Sequence, residues 1–250
     1  MTALRVAAHV HSTWSYDGEW ALEDLARAFA RRGYDAVLMS EHDRTFDDAS
    51  WERFCAACSA ASACGAVLVP GIEYSDAANC VHVPVWGAPG FLGRDRPTGE
   101  LLADARAAGA LAVIAHPDRR EAWRTLDPEW LELAYGIEIW NRKCDGWAPS
   151  RSGLELAAGG HGLRPFVGLD FHSARQFFPL AMVAPDGGAA SVESVLRALR
   201  AGALEPVAFG SPAGRFAHGR GLEAARASER VRRPLARAYR RASRIVSARR

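Results

Sequence analysis

Nine residues of this chain are of the types that hold metal ions: His9, His11, Asp17, His42, Glu73, His82, His116, Asp170 and His172. Most stand at the ends of apolar runs. His9-Val10-His11 closes the run 4–11, and in a β-strand residues i and i+2 share a face, so these two imidazoles can converge on one point. Imidazole is the commonest metal ligand, and converging imidazoles with a nearby carboxylate are the beginnings of a metal site. The same device recurs: His42 follows the run 36–40, Glu73 follows 66–72, His116 follows 111–115 and Asp170 follows 165–169, while His82 lies inside 81–86. Six imidazoles and three carboxylates exceed what one four- to six-coordinate ion can use, so the set implies several ions. Two cations a few ångströms apart can bring the pKa of a bridging water towards neutrality and clamp an in-line displacement at phosphorus. Such chemistry requires no serine or cysteine nucleophile. For a phosphate ester it would also call for fixed positive charge, and Arg119, Arg142, Lys143 and Arg175 follow site segments, as do Arg44 and Arg120. Arg119 is the first choice, because it follows His116-Pro117 and a guanidinium grips phosphate bidentately. Asp43 and Asp118 are candidates to orient ligand imidazoles.

The elements that must position these residues alternate. The spacing predicts strands at 4–11, 36–40, 66–72, 81–86, 111–115, 136–140 and 165–169, with further apolar runs at 180–184 and 206–209. Helices are expected at 20–32, where Leu22, Leu25, Ala26 and Phe29 recur at helical spacing before Gly33, and at 50–64, 98–108, 128–135, 153–158 and 192–201. Ser50 and Thr98 are read as N-caps. Strands alternating with helices imply parallel strands covered by helices. Polar residues at nearly every strand end favour a closed barrel, whose active site lies at the C-terminal rim, over an open sheet with one switch point.

A length of 250 residues suits one large α/β domain, and 49% hydrophobic with 24% charged residues excludes a disordered chain. No apolar run approaches the length of a membrane span, and no basic-then-apolar leader precedes the first motif, so a cytoplasmic protein is expected. Five cysteines are an odd number, which suits a reducing compartment. Cys55, Cys58 and Cys64 read as small core residues of a helix, and Cys144 as a loop thiol near the site. Trp14, Trp123, Trp140 and Trp147 lie close to site segments and are candidates for an aromatic wall. Charge is lopsided: residues 222–250 hold ten arginines against two glutamates, a surplus of +8 in a chain of net +2, which leaves −6 for residues 1–221. In that tail Val231, Leu235, Ala238, Ala242 and Ile245 recur at 3–4 spacing among Arg230, Arg233, Arg237, Arg241 and Arg244. The pattern is a basic amphipathic helix, suited to an anionic surface or nucleic acid, or to packing its stripe on the domain.

The pieces HVHSTWSYDG (9–18), SEHD (40–43), PGIEYS (70–75), CVHVPVWG (80–87), IAHPDR (114–119), GIEIWN (136–141) and VGLDFH (167–172) together resemble the PHP family, the polymerase-and-histidinol-phosphatase metal phosphoesterases. They run in that family's order over about residues 4–200 and fill all nine of its ligand positions. The resemblance implies an α/β fold of distorted (β/α)7 barrel type in residues 1–212, with residues 213–250 as an Arg-rich helical extension. It also implies three divalent ions (Mn, Fe or Zn). One would take His9, His11, Glu73 and Asp170; a second would share Glu73 and add His82 and His116; the third would take Asp17, His42 and His172. Asp17 fills a position that some members give to histidine, and a harder oxygen donor leaves Mn or Fe as suitable as Zn there. The expected activity is hydrolysis of a phosphomonoester of a small metabolite or nucleotide, with Glu73, Asp170 and Arg119 at the reacting centre. The alternatives are a phosphodiesterase or exonuclease using the same ions, and a metal-stabilised binding module.

Overall fold

The computed structural model describes residues 3–186 and 188–247, with side chains described to residue 236. The chain forms a mixed α/β fold with two six-stranded sheets. Strands β1 (Leu4–Val10), β2 (Ala36–Met39), β3 (Glu41–His42), β4 (Val67–Val69), β5 (Gly71–Ser75) and β6 (His82–Trp86) precede β7 (Leu111–Ile114), β8 (Gly136–Asn141) and β9 (Arg164–Gly168). Strands β10 (Leu180–Ala184), β11 (Glu205–Ala208) and β12 (Ser211–Pro212) follow. The first sheet has the order β12-β11-β10-β1-β2-β4 and the second β3-β5-β6-β7-β8-β9. The chain passes between the sheets twice. The expected strand 36–40 forms β2, and after a break at Ser40 the residues beyond it form β3 in the other sheet; the expected strand 66–72 is itself divided at Pro70, which cannot donate to a ladder, into β4 and the start of β5. At the far side, Leu169 N donates to Ala8 O (2.9 Å), Phe171 N to His9 O (3.0 Å) and His11 N to Phe171 O (2.8 Å). The end of the second sheet is thereby tied to β1 in the middle of the first.

The all-parallel expectation needs correction. Strand β6 is antiparallel to both β5 and β7, because only the short connection 76–81 joins it to β5 and no crossover helix intervenes. That reversal brings the first residue of β6, His82, to the rim where the parallel strands end. A histidine at the start of an antiparallel strand therefore serves the same rim as one at the end of a parallel strand.

Helix α1 (Leu22–Ala30) buries Leu22, Leu25, Ala26 and Phe29, as their spacing predicts. Helix α2 (Asp48–Ser62) is capped by Asp47, whose carboxylate accepts from Ser50 N while Ser50 Oγ accepts from Asp47 N; Ser50 is the reciprocal half of a capping box and not the cap. In α3 (Thr98–Ala107) the cap position is Pro97, one residue before the expected Thr98. Helices α4 (Pro128–Leu133), α5 (Arg151–Ala158) and α6 (Val192–Arg200) complete the expected set. Cys58 is buried in α2, Cys55 half-buried, and Cys64 exposed just beyond it. The core is continuous, from Val6, Val37 and Leu68 beneath the first sheet to Val113, Ile137 and Val167 beneath the second.

The final helix, α7 (Gly219–Ser247), buries Ala225 and Glu229, whereas Val231 and Leu235 are 62% and 65% exposed. The described part of the apolar stripe thus faces solvent and does not pack on the domain. Ala238, Ala242, Ile245, Arg237, Arg241 and Arg244 lie outside the described side chains. Among the described residues no helix is long and apolar enough to cross a membrane.

Candidate metal centre

Backbone irregularities aim the site residues. His9 has φ 61°, His116 φ 30° and Asp170 φ 47°, left-handed values that cost of order 1–3 kcal/mol each unless surrounding structure enforces them. The register of β1 against β2 shifts between Ala7 and Val10, so His9 sits in a bulge of β1. The two imidazoles of the His9-Val10-His11 run do converge, with ring centroids 5.2 Å apart, but a bulge brings them together and not plain strand alternation.

Glu73 is the hub. Its Oε1 lies 3.1 Å from His9 Nε2, 2.9 Å from His82 Nδ1 and 3.2 Å from His116 Nε2, while Oε2 lies 3.1 Å from His42 Nδ1 and 3.6 Å from His11 Nε2. Asp170 is the second centre: Oδ1 is 3.6 Å from His11 Nε2 and 3.3 Å from His172 Nδ1, and Oδ2 is 3.9 Å from His116 Nε2. Asp17 reaches across to both His42 and His172, 3.2 Å from the Nε2 of each. All nine sequence-picked residues therefore meet at one place, and eight of them are buried, Asp17 being the partly exposed member.

The electrostatics follow from the crowding. Burial alone would raise the carboxyls of Glu73 and Asp170, but the surrounding imidazoles, with Lys143 beside Asp170, hold both well below the usual carboxylate range. Burial would lower His9, yet Glu138, Glu73 and Asp170 raise it well above the usual histidine value. Burial and the neighbouring His172 and His42 push His11 well down. His42, although buried, is raised to about 9 by Asp17 and Glu73. Anionic carboxylates among close imidazoles are a donor set for a divalent cation. His9 Nε2 and His11 Nε2 are buried without a hydrogen-bond partner, and both face the Asp170 carboxylate. Donor atoms within 4.8 Å of one another occur as His9–His11–Asp170, His9–Glu73–His116, His11–His42–His172 and His116–Cys144–Asp170. The residues present fit metal ions.

Supporting residues that the sequence reading missed hold this cluster. Glu138, buried in β8, accepts from His9 Nδ1 (2.8 Å), His116 N (2.9 Å) and Asn141 Nδ2 (2.8 Å). A Cβ on Gly168 would overlap the Glu138 carboxylate, so the glycine of Val167-Gly168-Leu169 makes room for it. Glu41 accepts from Ser12 N (2.9 Å), Ser12 Oγ (2.6 Å) and Ser15 Oγ, fastening the loop that carries Asp17. The available signal was a carboxylate inside an otherwise apolar strand, since a buried charge needs donors. Asp118 does not orient an imidazole as expected; it accepts from Ser150 Oγ, Arg151 N and Ser152 Oγ at the start of α5. Asp43 lies at the site with its carboxyl raised to about 6 by burial, and its Oδ1 has no partner.

A cavity of about 70 Å³ opens onto the cluster, lined in part by Arg44, Arg119 and Lys143. Arg119 Nη1 donates to Asn79 O (3.0 Å) and lies 3.2 Å from His82 Nε2. Lys143 Nζ, the chain's one lysine, lies 3.3 Å from Asp170 Oδ1 and 3.1 Å from His172 Nε2. Arg142 and Arg175 are not brought in. The guanidinium of Arg142 lies over the Phe178 ring and donates to Arg175 O, because the turn after β8 sends successive side chains to opposite sides. The tryptophan wall does not form: Trp14 packs on Phe46 and Phe54, Trp140 is buried, Trp123 carries Arg124, and Trp147 abuts α7. The aromatic residue at the mouth is Tyr16, 68% exposed and stacked on His42 at 5.0 Å. A second cleft of about 770 Å³, between the loop after β8 and α7, shares Arg119 with the first and is also lined by Cys144, Arg226 and Arg230.

No family model and no curated protein matches the sequence. Solved structures do. A two-domain protein from Bacteroides vulgatus, described as containing a predicted PHP-like metal-dependent phosphoesterase, has a TM-score of 0.60 at 18% identity, covering 83% of this chain and 65% of its own. This chain thus spans just under two thirds of that protein. PsfC from Pseudomonas syringae has a TM-score of 0.58 at 16% identity, over 78% of this chain and 88% of its own. A putative metal-dependent phosphoesterase from Bifidobacterium adolescentis has a TM-score of 0.51 at 17% identity, over 78% and 96%. Likeness at this identity establishes the fold alone, and it is a fold shared with one structure named as containing a predicted PHP-like metal-dependent phosphoesterase and one named as a putative metal-dependent phosphoesterase.

Proposed function

We propose that this protein is a metal-dependent phosphomonoesterase acting on a small phosphorylated metabolite or nucleotide. The observation that carries the reading is Glu73, one buried carboxylate with three imidazoles around one oxygen and two around the other. That arrangement suits a bridge between two ions. His9, His11, Glu73 and Asp170 would hold one ion, Glu73, His82 and His116 a second, and Asp17, His42 and His172 a third. Divalent cations so held would polarise a phosphoryl oxygen and offset the charge that develops during in-line displacement. Arg119 and Lys143 line the cavity and would supply fixed positive charge to phosphate oxygens there. A cavity of about 70 Å³ accommodates ions and a phosphoryl group, so the leaving group would extend past Arg119 into the neighbouring cleft. The bonds from Leu169 and Phe171 to β1 support reading the two sheets as one distorted (β/α)7 barrel with this centre at its rim. Five unpaired cysteines suit a cytoplasmic location.

A second reading, a phosphodiesterase or exonuclease, is favoured by Arg226 and Arg230 in the cleft beside the centre. The two separate on simple substrates. Metal-loaded protein is expected to release p-nitrophenol from p-nitrophenyl phosphate and not from its bis ester; the opposite pattern assigns the diesterase. Hydrolysis of neither after loading with Mn, Fe or Zn would leave the protein a metal-stabilised binding module.

A further inference from the structure

Of the five cysteines, Cys144 alone is brought to the metal cluster among the described residues. Its Sγ lies 3.7 Å from Asp170 Oδ2, and the donor atoms of Cys144, His116 and Asp170 all lie within 4.8 Å of one another. Around a tetrahedral ion with metal–sulfur about 2.3 Å and metal–nitrogen or –oxygen about 2.0–2.1 Å, nitrogen and oxygen donors stand roughly 3.3–3.4 Å apart and sulfur about 3.5–3.6 Å from either. The observed 3.7 Å from sulfur to Asp170 matches that spacing to about 0.2 Å, and the 3.9 Å from His116 Nε2 to the same oxygen exceeds it by about half an ångström, a gap that an ion would close by drawing the imidazole in.

The turn that carries the thiol is built from the same scaffold as the imidazoles. Asn141 Oδ1 accepts from Cys144 N (3.0 Å), Asn141 N donates to the buried Asp145 carboxylate (2.7 Å), and Asn141 Nδ2 donates to Glu138 Oε2 (2.8 Å). Glu138 is the carboxylate that also orients the His9 imidazole and accepts from the backbone N of His116. One buried acid therefore sets the direction of one imidazole, anchors the backbone of a second ligand candidate and, through Asn141, holds the turn that carries the sulfur. The unpartnered, fully buried His9 Nε2 and His11 Nε2 form a neighbouring donor group on the other oxygen of Asp170, and His116, in the Cys144 group itself, keeps a buried Nδ1 without a hydrogen-bond partner.

We propose that Cys144 is a thiolate ligand of the second of these ions, the one assigned to Glu73, His82 and His116, with Asp170 Oδ2 turned to the same ion while its Oδ1 faces the first, a tenth ligand beyond the nine read from the sequence. The inference rests on the metal-centre reading above. As the sulfur–metal bond forms, the S–H proton passes to solvent and no electrons are transferred. A soft donor at this position selects zinc or cobalt over manganese. Loss of the ligand is expected to weaken zinc retention by at least the roughly 10–100-fold that outer-shell changes cost, with far less effect on manganese.

Titrating the metal-free full chain with Co(II) tests this directly. A near-ultraviolet thiolate-to-cobalt charge-transfer band should grow with bound cobalt and be missing in Cys144→Ser, which should still bind cobalt through the remaining donors. Visible cobalt bands without charge transfer in the unaltered protein, or a band that survives in the variant, overturn the assignment while leaving the metal centre intact. No bound cobalt at all overturns both. A second measurement needs no variant: zinc should slow iodoacetamide alkylation of Cys144 at least tenfold and leave the exposed Cys64 unaffected. Equal rates at Cys144 with and without zinc count against the ligand.

Discussion

Glu138 shows how much of a metal site rests on a residue that touches no ion. Its carboxylate fixes the Nδ1–H of His9 and so leaves Nε2 as the free donor, and it also anchors the backbone of His116. Glu138→Gln keeps the volume but replaces an anion with a group that must donate as well as accept. We expect metal retention after dialysis to fall roughly 10–100-fold with the circular dichroism spectrum unchanged, and full retention would show that His9 is oriented otherwise. The imidazole of His42 yields a pH prediction. Burial alone would lower it, but Asp17 and Glu73 raise it from 6.5 to about 9. A group raised on folding contributes stability that is fully present below its unfolded value and lost as pH climbs through its folded one. The thermal midpoint of metal-free protein should therefore fall between pH 6.5 and about 9, and His42→Asn should flatten that slope. The nine ligand candidates were legible because their types and strand-end positions carry the signal. Glu138, Glu41 and Tyr16 were not, although all three stand inside the quoted motifs. Their roles depend on which way a bulged strand or a loop turns, and residue type alone does not encode that.

At the scale of elements, alternation of strand and helix was legible, whereas direction and continuity were not. The apolar run that becomes β6 reads the same in either direction, and only its pairing with β5 and β7 fixes it as antiparallel. The splits at Ser40 and Pro70 likewise come from strands passing from one sheet to the other. Helix α7 holds the loop after β8, which carries Lys143 and Cys144. The Glu229 carboxylate, 5% exposed, accepts from Trp147 N at 2.8 Å and from the guanidinia of Arg232 and Arg233. Gly146, at φ 80°, lies so close that a Cβ there would crowd Glu229 and Arg232. Glu229→Ala leaves the Trp147 amide and two arginines without this partner, and is expected to cost about 1–3 kcal/mol in urea unfolding. Hydrogen exchange should quicken at the 142–150 loop first. Unchanged exchange there would separate α7 from the site.

Across the whole molecule, the charge asymmetry legible in composition takes on a direction. The face of α7 that is buried, through Ala225 and Glu229, lies roughly 120–160° around the helix from Val231, at about 100° per residue. Val231 and Leu235, with Trp147 40% exposed beside them, form an apolar strip on the outside of the helix, near the exposed Arg226, Arg230 and Arg233. The sequence pattern could not decide between packing inwards and facing out, because a stripe carries no label for its partner. Charge narrows the choice. Two copies of a tail with a surplus of +8 repel each other, whereas an anionic lipid surface offers both counter-charge and an apolar layer for the strip. Nucleic acid would use the arginines but leave Val231 and Leu235 in water. The full chain is therefore expected to cosediment with vesicles containing phosphatidylglycerol and not with pure phosphatidylcholine, and salt should weaken the binding. Two side chains worth about 1.5–3 kcal/mol each on burial predict a loss of at least roughly 100-fold for Val231→Glu with Leu235→Glu, the thermal midpoint staying put. If the double variant binds vesicles as before, the strip has no part in it. If it binds a single-stranded oligonucleotide as tightly as the unaltered chain while vesicles bind neither, the tail belongs to nucleic acid and the diesterase reading gains.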